Sequence, residues 1–118
     1  GGGSFRMNII IKKWIQPYLL IEYLKDFYNV VDLTFDGASK NKFRQQMFAE
    51  VDSGNIGLYM KNVNKFYVLK DKSSDTLLVD IIKDKLDLTD ADLAEEADKD
   101  KALGLVDLGK SEASFFIR

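Results

Sequence analysis

Cysteine and histidine are both missing from this 118-residue chain. Without cysteine there is no disulfide and no thiolate metal site, so redox chemistry says nothing about compartment. Without histidine the commonest general base and the commonest transition-metal ligand are gone. Turnover chemistry would have to rest on carboxylates, lysine, tyrosine or hydroxyls. Proline occurs once and glycine eight times, which fits regular elements joined by short links. Long apolar runs are also scarce. The most apolar stretch, residues 14–24, contains Gln16, Pro17 and Glu22 and falls short of the ~20 residues a bilayer span needs. No small-residue cleavage pattern comes after an apolar run near the start, so no secretory signal is expected. A cytoplasmic location is the default, with no membrane partner.

What remains is a globular balance, 46% hydrophobic and 31% charged. Its length suits one domain with one real core. Gly1, Gly2, Gly3 and Ser4 read as an appended linker, residues 1–6 as an N-terminal extension, and residues 7–118 as a single α+β domain with Met7 a plausible natural start. Charge is unevenly placed. The first 70 residues carry 10 Lys/Arg against 6 Asp/Glu, a net of +4; the rest carry 7 against 13, a net of −6. Residues 84–100 alone hold 8 acidic and 2 basic residues, so the acidity is one segment rather than a general property.

Periodicity supplies the elements. Residues 55–82 read as a three-strand meander: Ile56, Leu58 and Met60 on one face, then Phe66 and Val68 opposite Tyr67 and Leu69, then Leu77, Val79 and Ile81 alternating. Residues 5–12 alternate loosely as a first strand. Pro17 suits the first turn of a helix whose stripe is Leu20, Ile21, Leu24, Phe27 and Tyr28. Residues 30–35 form a strand with Val31, Leu33 and Phe35 on one face, and Asp36-Gly37 a turn. Ser39 caps a second helix with the stripe Phe43, Met47, Phe48 and Val51, and Gly54 takes its left-handed end. A third helix is expected from Thr89, with Asp92 completing an acidic capping box, Leu88 and Leu93 forming a hydrophobic staple, and Gly104 as the stop. Residues 113–117 close the chain as a strand. The expected fold is α+β in the order β-α-β-α-β-β-β-α-β. Its sheet is mixed but mostly antiparallel, with helices packed on it and a partly closed barrel as the variant.

Two motifs fail on context. Gly104 to Ser111 matches G-x4-G-K-S letter for letter, but phosphate binding needs a strand before it and a helix after it. Here a helix is expected before it, only seven residues remain after it, and Asp107 would repel phosphate. Residues 84–100 invite a calcium loop, yet Ala94 or Ala102 stands where oxygen ligands are needed. No cofactor and no metal is expected.

Two surfaces are left. The acidic set Asp90, Asp92, Glu95, Glu96, Asp98 and Asp100 would line a helix and dock a protein with a basic surface. The basic and aromatic set Lys40, Lys42, Arg44, Tyr59, Lys61, Lys65 and Tyr67 would bind RNA by charge and stacking, with Tyr59 and Tyr67 as the exposed rings. The expected function is a non-enzymatic regulatory or inhibitory protein-binding domain acting through the acidic helical surface. The alternative is an RNA-associated regulatory domain using the basic strand face. Opposite charges in two regions also permit self-association.

Overall fold

The computed structural model describes residues 7–11, 13, 15–34, 39–96 and 112–118. It is an α+β fold built on one six-stranded sheet. The strands are β1 (Met7–Ile11), β2 (Asn29–Asp32), β3 (Ile56–Met60), β4 (Lys65–Lys70), β5 (Leu93–Glu96) and β6 (Ala113–Ile117). The helices are α1 (Pro17–Leu24), α2 (Lys40–Asp52) and α3 (Leu78–Leu86). The sheet order is β2-β4-β3-β6-β1-β5, and every pairing is antiparallel. Among the described residues the sheet is open, not a partly closed barrel, and β2 and β5 are its edges.

Both faces are covered. On the first face Ile9, Ile11, Leu58, Met60, Leu69 and Phe115 pack with Leu20, Ile21 and Leu24 of α1 and Leu78, Ile81 and Ile82 of α3. On the second, Tyr59, Phe66 and Phe116 pack with Phe43, Met47, Phe48 and Val51 of α2. Burial on both sides explains why β1 reads poorly as an alternating strand. Ile10 and Asn8 are as buried as Ile9 and Ile11, so there is no polar side for the pattern to show. Helix α2 lies close over Gly57, with no room for a side chain there. A Cβ there would lie 2.6 Å from Met47 Cγ.

Local chemistry sets most helix limits as expected. Pro17 occupies the first turn of α1. Ser39 Oγ accepts the Lys42 N–H at 3.2 Å, and Gly54 comes after α2 at φ +104°. Helix α1 is shorter than its expected stripe: it ends at Leu24, and Phe27 and Tyr28 fall in the turn before β2. Two further elements differ in kind. The third strand of the meander, residues 76–82, is instead helical: α3 buries Leu78, Ile81 and Ile82, with spacing i, i+3, i+4. The period-2 reading picks Leu77, Val79 and Ile81, but Leu77 is exposed and Leu78 and Ile82 carry the burial. Asp80 in the first turn and Lys83 and Lys85 in the last suit the helix dipole.

The third helix, expected from Thr89, is one 3-10 turn, Asp90–Asp92, that runs directly into β5. The capping interaction exists all the same: the Asp92 carboxylate accepts from the Thr89 N–H at 2.9 Å and from Thr89 Oγ1 at 3.2 Å. After it, Leu93 is extended and β5 pairs with β1, aligning Leu93 with Ile11 and Glu96 with Asn8. A cap fixes only the first turn, and the pairing available along β1 makes the next residues a strand. The observed order is thus β-α-β-α-β-β-α-β-β.

Candidate functional site

The acidic set does not line a helix. Asp90 sits in the 3-10 turn, where its Oδ1 accepts from Lys83 Nζ at 2.7 Å. That bond holds the Asp90 carboxyl below the usual range and raises the Lys83 ammonium. Asp92 is committed to the cap, and the Thr89 backbone N–H lowers its carboxyl in turn. Glu95 and Glu96 belong to β5. Asp98 and Asp100 lie outside the described residues, as do Trp14, the Asp36-Gly37 turn and the whole of the 104–111 motif. Among the described residues, the stretch expected to give an acidic stripe along a helix gives a turn and an edge strand.

The basic and aromatic set is divided by the sheet. Tyr59 is 4% exposed on the α2 side, stacked on Phe66 with ring centroids 4.6 Å apart. Its hydroxyl donates to Asn64 Oδ1 at 3.3 Å, and Lys40 Nζ lies 5.5 Å from its ring centroid. This ring is core, not the exposed platform expected of it. Arg44 lies over Phe48 at 5.8 Å, and Lys42 is exposed on α2. Lys61 Nζ is buried with no hydrogen-bond partner among the described residues. Lys65 and Tyr67 come together on the opposite face, the side of α1.

There they join a groove of about 520 Å³ between α1 and the β2 edge, lined also by Pro17, Tyr18, Ile21, Glu22, Lys25, Val30, Asp32 and Val63. The groove has a simple origin. Helix α1 seats Leu20, Ile21 and Leu24 on the core, which turns Tyr18 and Glu22 outward. Strand β2 is only four residues long, so the sheet stops short beneath the helix. The 3-10 turn Lys61–Val63 after β3 brings Val63 to one end. Tyr18 is 71% exposed and Val63 45%, so the groove carries large apolar groups that the fold itself leaves uncovered.

Its charges are partly neutralised within it. Lys25 Nζ and Glu22 Oε1 form an ion pair at 2.9 Å, which raises the Lys25 ammonium. Asp32 Oδ1 accepts the Thr34 N–H at 2.7 Å. Burial, then the nearby Asp32 carboxylate, push the Tyr67 phenol up, so it stays a neutral hydroxyl. The arrangement offers an apolar floor with a mixed polar rim. A smaller groove of about 350 Å³ lies between α1 and α3, lined by Ile15, Gln16, Leu19, Leu20, Tyr23, Lys85 and Leu86.

Among the described residues, no three acidic side chains cluster as a metal-ion cage, and no helix is long and apolar enough to cross a membrane. No protein-family model matches the chain, and no curated protein or solved structure does.

Sequence reasoning misses the α1–β2 groove because its parts are scattered. In sequence Tyr18 only flanks the helix stripe, and Val63 falls in a turn. The available signal is Tyr18 itself, a large ring off the buried stripe of α1.

Proposed function

We propose that this is a non-enzymatic protein-binding domain of the regulatory or inhibitory kind, and that it meets its partner at the groove between α1 and β2. One observation carries the reading: a mostly exposed Tyr18 stands over an apolar groove beside an open sheet edge. Tyrosine supplies a large, stiff contact surface at low entropic cost, and exposed rings next to a pocket are the usual anchors of an interface. The ionisable groups of the groove support binding better than turnover. Glu22 and Lys25 hold each other, and Asp32 is engaged by a backbone N–H. The expected basic-surface partner remains compatible with Asp32, but the contact is moved from the acidic segment to the α1 side.

Site-specific photo-cross-linking tests this. A benzophenone side chain is placed at Tyr18 in one sample and at Leu77 in another, since both positions are exposed. A protein cross-linked in native-host extract from position 18 and not from position 77 supports the reading. Cross-linked RNA at position 18 would favour the nucleic-acid alternative through Lys65 and Tyr67, and equal capture at both positions would contradict a defined site.

A further inference from the structure

The backbone of β2 determines the form in which a partner can enter the groove. The Leu33 N–H donates to the Phe66 carbonyl at 2.8 Å, and Val31 is in register with Val68. In an antiparallel ladder, residues alternate between exchanging both backbone bonds with the neighbour and turning both groups away. Val31 and the Leu33 N–H therefore face β4, where the Phe66 N–H donates in turn to Thr34 Oγ1 at 3.3 Å, whereas Val30 and Asp32 turn N–H and C=O toward the open side. Among the described residues no strand lies there, because β2 ends the sheet. These same two residues line the groove with their side chains. Apart from the bond from Thr34, the Asp32 carboxylate has no partner among the described residues, and no lysine or arginine among them reaches ion-pair distance of it.

We propose that an extended segment of a partner protein adds to β2 as a further strand, placing an apolar residue opposite Val30 and a basic residue opposite Asp32. This rests on the protein-binding reading above and gives the partner's chemistry. Backbone pairing supplies the attraction, and the alternate side chains on the groove side supply the selection. A side chain directly opposite another across a ladder has its Cβ about 4.5–5.5 Å away, close enough for a lysine or arginine to answer Asp32 and for a glutamate to be repelled. The apolar residue beside Val30 meets Ile21, Pro17 and the Tyr18 ring. The other groove cations do not reverse this. Lys25 is held by Glu22, and Lys65 lies on β4, one strand in from the edge. A second copy of the chain is a poorer occupant: antiparallel pairing of β2 with itself sets Asp32 opposite either another Asp32 or Val30, and neither supplies a cation.

The test uses the full isotope-labelled chain and two end-capped peptides, Thr-Thr-Arg-Thr-Val-Thr-Thr, whose order sets arginine opposite Asp32 and valine opposite Val30 in antiparallel pairing, and the same peptide with Glu for Arg. Binding is followed by amide chemical shifts. The arginine peptide should perturb Val30 and Asp32 first and bind at least about tenfold more tightly than its glutamate counterpart. In Asp32→Lys the order should invert. This substitution is at an exposed position, and its fold is checked in the same spectra. Silence of β2 up to millimolar peptide, shifts centred elsewhere, or an unchanged order in Asp32→Lys would overturn the proposal. The two readings fail separately: a protein caught from position 18 with β2 silent to both peptides leaves protein binding standing and removes strand addition.

Discussion

The two edges of the sheet differ in chemistry. Strand β5 carries two consecutive glutamates in its sequence and comes after a turn whose carboxylates are already engaged by Lys83 and by the Thr89 cap. Strand β2 carries one aspartate, borders an apolar groove, and has exposed Tyr18 and Val63 nearby. Charged residues and short strands are both ways of discouraging unwanted pairing at an edge. Both edges are four residues long, but β5 has two glutamates in its sequence where β2 has one aspartate. A brief edge with a single charge discourages aggregation without closing the edge to a matched segment. An acidic stretch draws the eye in a sequence, but here much of its described part is used locally.

The largest effect should come from removing the ring that supports the β2 side. Phe66 on β4 is fully buried between Phe43 and Tyr59. Phe66→Ala should cost about 3–5 kcal/mol in a denaturant titration, with amide exchange rising at β2 before β5. Gly57→Val is next. The added side chain must displace Met47, which should cost about 1–3 kcal/mol and loosen α2 rather than α1.

A sharper pair is Val31→Pro against Val30→Pro. Proline at position 31 removes a donor used by β4 and should unpair the strand, whereas at position 30 it removes a donor facing the open side. The first should lower the melting temperature by several degrees. The second should lower it far less, yet abolish capture of an extended partner.

The smallest effect belongs to the β5 side. The Asp92 carboxyl is lowered by folding, so its contribution is fully present above its unfolded pKa and is lost as pH falls through the lower, folded value. Asp92→Asn should therefore flatten a shallow acid dependence below about pH 4, read from thermal melts across pH, with no change on the groove side.

Much of the fold is legible in the sequence wherever one local signal matches one burial pattern. Pro17, Ser39 and Gly54 mark helix ends chemically, and Leu20, Ile21 and Leu24 of α1 and the whole stripe of α2 bury as the 3.6-residue period requires. Residues 76–82 are ambiguous because Leu77, Leu78, Val79, Ile81 and Ile82 satisfy both periods over so short a span. Burial of Leu78 and Ile82 rather than Leu77 settles it. The stretch after Thr89 shows a different limit. A capping box is a property of three or four residues, and strand pairing to β1 is a property of the whole sheet. The site is the least legible part. Tyr59 and Tyr67 differ by eight positions and read alike, but the register that sets Tyr59 opposite Phe66 and Tyr67 opposite Leu58 puts them on opposite faces. The groove needs α1, the end of β3 and an edge strand at once, and no window of sequence contains all three.

The most direct measurement is residue-resolved amide exchange in the free protein across β2. Free outward groups require fast exchange at Val30 and Asp32, alternating with protection at Val31 and Leu33, and protection of the first two once a partner segment is added. Slow exchange at Val30 and Asp32 in the free chain would mean that the edge is already covered, and would contradict the account.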